Sequence, residues 1–434
     1  MTRPSFPKSR RVTIISPEFP PEASPTARMA SELSEGLAAV GYEVTVIAGF
    51  PNRPMGVVYE GYRRSLRSLE SHGQVRLVRC PNWLIGPNRR HYSRILENLT
   101  FGLSSLYNLL REARPDILVV ETWPILAAQC AFIAAQIWNV PVIYYVQDVY
   151  PEIAVDVGVL REGSLVSRLL LVWDTCLCRH ASTVVAISDT MGALLSSARN
   201  LPPSKVRVVP NWLVGTTITP VQHSTRWRAR LGLSEDQFIL MYAGTLGLVS
   251  GVDILIEVAR LLRADRVQIL CVGEGPLKQP MVREAELECL ENIHFIPFQP
   301  EGELSDLLGT ADAFILPMIP NARDAAVPSK LITYLAAGRP VVCASQEEGA
   351  VAQIVRSREA GILARAGDPA DIVRAVRQLA EDPDWRRRLG ANARSCFEDH
   401  FTFERAIDTL TDLLNTLLDP VHSTNDVRGI ESHK

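Results

Sequence analysis

Short apolar runs alternate with longer stretches of helical spacing along almost the whole chain. RVTIIS (11–16) reads as a buried strand, ARMASELSEGLAAV as an amphipathic helix stopped at Gly41, and YEVTVIAG as a second strand. DILVVE, VPVIYYV, TVVAIS and KVRVVPN continue the series, with helical stretches mostly between them. The pattern loses its period over 213–224 and then restarts with FILMYAG, VQILCVG, IHFIPF, AFILPM, RPVVCA and AGILARAG. Strand–helix alternation of this kind predicts parallel, doubly wound sheets. The chain therefore reads as α/β, with two Rossmann-like halves at 1–212 and 225–400 joined by a linker at 213–224. Residues 401–418 are expected to form a C-terminal helix packing back toward the N-terminal domain. The polar stretch 419–434 is expected to be disordered.

A chain of 434 residues, 47% hydrophobic and 21% charged, is large enough for two cores and fits the soluble globular class. The net charge of −3 conceals an asymmetry. Residues 1–210 carry 22 Lys and Arg against 17 Asp and Glu, and the remainder carries 23 against 31. A mildly basic first half suits an anionic membrane surface or a phosphate-bearing acceptor, and ordinary surface variation explains it equally well. The excess is too small for nucleic acid, and no nucleic-acid motif accompanies it. Trp123–Val146 lacks charge over 24 residues, but Pro124, Gln129, Gln136, Asn139 and Pro141 interrupt it. A buried helix ending near Trp138, followed by a strand, accounts for it better than a membrane span. The eight cysteines are scattered, and the single close pair, Cys176 and Cys178, has no second pair to complete a zinc site. Reduced thiols and the absence of a signal-type apolar N-terminus lead to the expectation of a cytoplasmic protein.

In open α/β sheets, ligands bind outside the carboxyl ends of strands. Several runs stand at such ends: PNW (210–212), YAGTLGLVSGVDILIE, VGEGPLK, ADAFILPM, VPSKLITYLAAGRPVV and AGILARAGDP, in that order. This ordered set resembles glycosyltransferase family 4, a retaining family with the two-domain GT-B fold. In the first half, SPEFPPEASPTARMASELSEGLAAVGYEVTVIAG and VQDVYPE resemble its exopolysaccharide, O-antigen and colanic-acid branch. The similarity spans about residues 10–415. It implies two Rossmann-like domains facing a central cleft, and transfer of a sugar from a nucleotide-sugar, UDP-linked in the first place. The implied acceptor is a glycan or a polyprenyl-diphosphate-linked sugar. No metal and no cofactor are expected, the nucleotide-sugar being a substrate.

Such transfer requires a neutralised diphosphate, a held nucleoside and an oriented acceptor hydroxyl. Gly244, Thr245 and Gly247 are expected to end a strand and open a helix containing Asp253, presenting backbone amides to the diphosphate. The family pattern often has Arg and Lys where this chain has Thr245 and Ser250, so part of the usual positive charge is missing. Pro328, Ser329 and Lys330 supply a helix start and a point charge, with Arg323 as a supplement. Two family glutamates are replaced by Ala325 and Thr333, leaving Thr333 as a neutral partner for ribose. Gly273 and Glu274 form the next turn, and Phe298 and Gln299 stand where the family's loop meets the base.

In the first half, Gln147 occupies a place where relatives carry a His on the sugar, and Asp148 is the candidate acceptor of a proton. Glu152 and Glu121 are further carboxylate candidates. Acceptor contact is expected at Glu18, Ser24 and Arg28. A basic, apolar stretch over 87–111, with Arg89, Arg90, His91 and Arg94 ahead of Leu96, Leu99, Leu103, Leu106 and Leu110, suits either peripheral membrane contact or a core-facing helix. Each site residue also has a plain structural role available, as turn, cap or solvated surface. Two other functions remain open at this level: a nucleotide-sugar epimerase on the same fold, and a non-catalytic nucleotide-sugar-binding or scaffolding subunit.

Overall fold

The computed structural model describes residues 10–53, 56–83, 90–156, 159–214, 217–221, 225–247, 250–320 and 327–419. Contacts divide the chain into two compact units. The first comprises Met1–Ile187, Gly192–Val209 and Ile407–Lys434, and the second Ser188–Met191 and Pro210–Ala406.

The first unit holds strands β1 (Arg11–Ile15), β2 (Glu43–Gly49), β3 (Ser68–His72), β4 (Val75–Cys80), β5 (Ile117–Glu121), β6 (Val142–Val146), β7 (Thr183–Ala186) and β8 (Val206–Val208). They form one sheet in the order β3-β4-β2-β1-β5-β6-β7-β8, parallel except for the β3–β4 hairpin. The interior strands are buried almost end to end, as a sheet covered on both faces requires. The hairpin is an addition to the predicted pattern. Its edge strand SLESH is mostly polar and half-exposed, so it gives little periodic signal, and Gly73 turns it at φ 60°.

The second unit holds β9 (Phe238–Ala243), β10 (Val267–Val272), β11 (Ile293–Ile296), β12 (Ala313–Pro317), β13 (Val341–Ser345) and β14 (Gly361–Arg365). Its all-parallel sheet runs β11-β10-β9-β12-β13-β14. Helices such as Pro369–Glu381 bury Ile372, Val373, Val376 and Leu379 against it. Each sheet grows outward from its first strand and then resumes on that strand's other side. The reversal falls between β1 and β5 in one unit and between β9 and β12 in the other, which is where an open sheet offers a crevice.

Local chemistry sets the element ends. Ser24 caps the helix Pro25–Ala39, with proline at its start and Gly41 (φ 106°) just beyond its end. The charge-free segment becomes the helix Ile125–Trp138, closed by Asn139 in a left-handed conformation, and then β6. Among the described residues, no helix is long and apolar enough to cross a membrane. Within the first unit, Tyr42 Oη donates to Asn415 of the last helix at 2.9 Å and Arg10 pairs with Asp419. All eight cysteines are free thiols, with Cys176 and Cys289 exposed.

Candidate active site

In the second unit the site is built around the carboxyl end of β9. Gly244 leaves the strand at φ 152°, and the aliphatic stem of Lys330 lies directly over it. A methyl group on Gly244 would approach Lys330 Cε to 2.1 Å, so only glycine leaves that space for the lysine. Lys330 Nζ sits 5.3 Å from the ring centre of Tyr242, a cation–π arrangement. Among the described residues the ammonium has no hydrogen-bond or ion-pair partner, and burial lowers its pKa. The amides of Thr245, Gly247, Ser329 and Lys330 are likewise without partners among the described residues. Ser329 and Lys330 open the helix Ser329–Ala336, whose N-terminal amides favour an anion.

Neighbouring turns fix this loop. Tyr242 Oη donates to the Thr245 carbonyl at 2.7 Å, and burial pushes its pKa up to about 12. Leu246 N donates to the Glu274 carbonyl at 2.9 Å, and Gly244 N to that of Val272 at 2.9 Å. A Cβ on Gly273 (φ 148°) would fall 2.0 Å from the Gly244 carbonyl oxygen and 3.5 Å from the Phe298 ring. β9 pairs with β10 over six register positions but with β12 over only two. Where β12 diverges, Tyr334 Oη serves the last residue of β9, accepting from Ala243 N at 2.9 Å and donating to Ala243 O at 3.0 Å. The Tyr334 ring stacks on Phe314 at 4.3 Å, which holds the hydroxyl in place.

Several expectations for this half change. The helix containing residues after Asp253 begins only at Ile254, so residues 244–247 lie in a loop and do not open it. Ser250 Oγ donates to the Gly247 carbonyl at 2.6 Å. Glu274 pairs through Oε1 with Lys278 at 2.6 Å. Thr333 Oγ1 donates to the Ser329 carbonyl at 3.2 Å, leaving it only an accepting role toward ribose. Gln299 Nε2 donates to the Pro297 carbonyl, and the Phe298 side chain is 56% exposed. Pro328 holds the N-cap position in extended conformation. Arg323 and Ala325 lie outside the described residues.

In the first unit, Ser16 and Glu121 meet at the ends of neighbouring β1 and β5, and Gln147 and Asp148 follow the next strand, β6. Glu121 pairs in register with Tyr145. Burial pushes the Glu121 pKa up to about 8, with nearby Glu18 adding to the rise and the Ser16 hydroxyl opposing it. Asp148 opens to solvent without a partner among the described residues, although surrounding protein raises its pKa by desolvation. Gln147 lies beside the buried Tyr145 hydroxyl.

The other candidates in this unit are engaged in holding the structure. Glu152 is gripped at both oxygens by fully buried Arg199, at 2.7 and 2.9 Å. Arg199 also donates to Asp174 and to the Tyr150 carbonyl, both at 2.7 Å, so it anchors the segment carrying Gln147 and Asp148. Glu18 is bound by Ser24 Oγ and by Arg53 Nε at 2.5 Å, while Ser24 accepts from Ala27 N as a helix cap. Arg28 pairs with Glu32 one turn on. Arg53 also pairs with buried Glu97, and Glu22 accepts from the amides of Asn52 and Arg53. Sequence reading missed Tyr242, Tyr334 and Arg199. For the two tyrosines the available signal was a polar tip inside an apolar run, which must find a partner, whereas Arg199, in the run SSARN, gave none.

Residues 26–212 match the family model of the glycosyl transferase 4-like domain, and residues 223–396 that of glycosyl transferases group 1. WcaI of Escherichia coli K12, named as a colanic acid biosynthesis glycosyl transferase, is 26% identical over 347 residues, covering 77% of this chain and 83% of its own. Sucrose-phosphate synthase from Thermosynechococcus elongatus superposes with a TM-score of 0.68 at 18% identity, over 95% of this chain and all of its own. HepE of Anabaena, solved in complex with UDP, superposes at 0.67 with 16% identity, over 94% of this chain and all of its own. With family models matching both halves and a Rossmann-ordered sheet in each unit, the chain belongs to the family-4-like, group 1 glycosyltransferases and is an enzyme of the GT-B fold.

Proposed function

We propose that this enzyme moves a sugar, with retention of configuration, from a UDP-sugar to a glycan or polyprenyl-diphosphate-linked acceptor in bacterial-type polysaccharide synthesis, on the cytoplasmic side of a membrane it touches through residues 87–111. The name of the E. coli relative and the UDP bound to HepE support the pathway and the nucleotide. One observation carries the donor reading. Among the described residues, Lys330 extends over Gly244 with an unpartnered ammonium, beside the unpaired amides of a loop and a helix start, and a diphosphate supplies the charge that cluster lacks.

In this reading the amides of Thr245, Gly247, Ser329 and Lys330, with the Lys330 charge, stabilise the departing diphosphate without a metal or cofactor. Arg323 is proposed as a second cation. The turn Phe298–Gln299 meets the base, and Thr333 accepts from the ribose. In the first unit Asp148 orients the attacking hydroxyl and takes its proton, and Gln147 donates to a sugar hydroxyl.

Calorimetry of UDP binding tests the proposal. Lys330→Ala is expected to weaken binding by about 1.5–3 kcal/mol, as loss of a charged hydrogen bond does. An unchanged affinity would place the diphosphate elsewhere. With a labelled donor, product formation that requires an acceptor distinguishes transfer from epimerisation.

A further inference from the structure

Three neighbouring helices of the first unit, Arg90–Leu109, Ile125–Trp138 and Leu165–His180, form one layer. Gly102 of the first packs against Leu126 of the second, where a Cβ would meet Leu126 Cγ at 2.8 Å. Trp173 of the third donates to Gln129 of the second at 2.8 Å. The outward side of this layer is apolar. Leu103, Ile133, Ile137, Leu165, Leu169 and Val172 are between 43% and 74% exposed. Large side chains gathered this way on neighbouring helices exceed the scattered exposure of an ordinary surface.

The charges on this face are sorted by sign. Arg111 and Arg114, just past the first helix, and Arg168 and Arg179 on the third are exposed, and none is paired with a carboxylate. The acids of the same segments turn inward and are neutralised: Glu97 by Arg53, Glu112 by Arg67 and Arg76, and Asp174 by Arg199. Among their described residues the three helices expose no acidic side chain.

We infer that this three-helix face docks on an anionic phospholipid surface, its aliphatic side chains entering the headgroup boundary and its arginines pairing with lipid phosphates. The contact lies on the bilayer and does not span it. A second copy presenting the same face would bring unpaired arginines from both chains to one interface, so charge favours lipid over self-association. The inference deepens the membrane contact of the proposed function and extends it to two further helices. It makes no use of the nucleotide site, so the two can fail separately.

Co-sedimentation of the full chain with vesicles tests it. Wild type is expected to bind equimolar phosphatidylglycerol–phosphatidylcholine vesicles, to release them as salt rises, and to ignore phosphatidylcholine alone. The double variants Leu169→Glu/Val172→Glu and Arg168→Glu/Arg179→Glu should each weaken binding about tenfold or more. Leu287→Glu, at an 85% exposed leucine of the second unit, should leave it unchanged. Circular dichroism and urea denaturation of the same preparations report folding, and if the apolar variant misfolds the arginine variant decides. Three results would each overturn the inference: no binding by wild type, equal binding by wild type and folded variants, or a wild-type dimer in light scattering that Leu169→Glu/Val172→Glu dissolves.

Discussion

Two ionisable side chains, Lys330 at a helix start over the end of β9 and Asp148 just past β6, have no partners among the described residues, and both have pKa values displaced by loss of water. Such groups retain interaction energy to spend on a ligand. Asp148→Asn keeps the shape but cannot take a proton, so turnover is expected to fall at least about tenfold while UDP affinity stays within about twofold. Steady-state kinetics beside calorimetry separates the two quantities, and full activity would remove Asp148 from the chemistry. Motif order and the family resemblance singled out both residues as candidates. Glu152 was misjudged for a reason local sequence does not reveal: its partner Arg199 lies 47 positions away. Glu18 and Ser24 were misjudged similarly, since each satisfies the other and Arg53 arrives from the turn after β2.

At the level of elements, strand existence was easy to read and loop conformation was not. Apolar runs of five or six residues declared β5, β6, β9, β10 and β12, because a strand buried on both faces has no room for polar positions. The edge strand β3, polar and half-exposed, left no such trace. The expected early helix after Gly247 failed because the loop instead ties itself to the turn after β10, through Leu246 N and the Glu274 carbonyl. That tie depends on close backbone approach. Gly273→Ala would drive a methyl group to 2.0 Å from a carbonyl that has no freedom to move aside. A loss of about 2–3 kcal/mol in urea denaturation is expected, with weakened UDP binding in the surviving fold. An alanine variant as stable as wild type would mean that the two turns are far looser than they look.

Over the whole molecule, the two-sheet architecture was readable from alternation alone, and family resemblance gave it a chemistry. The sorting of charge between the two faces of a helix layer was not, since it depends on which side each helix buries. One half-buried acid links the first unit's stability to pH. Glu121 has a folded pKa of about 8, above its ordinary value of 4.5, so the folded state binds the extra proton. Its contribution is present in full below the ordinary value and is lost as pH rises through 8. Glu121→Gln should therefore match wild type near pH 4 and exceed it by about 1–3 kcal/mol at pH 9. Denaturation curves at the two pH values check the sign, and a parallel offset at both would show that the residue titrates normally.

The tyrosine that closes the end of β9 has a consequence for how fast a ligand can arrive. Because Tyr334 already occupies the donor and acceptor of Ala243, the divergence of β12 from β9 leaves neither backbone group of that residue unpaired. An incoming nucleotide need not prise two strands apart, so its association should track diffusion and ionic strength, with no slow isomerisation preceding capture.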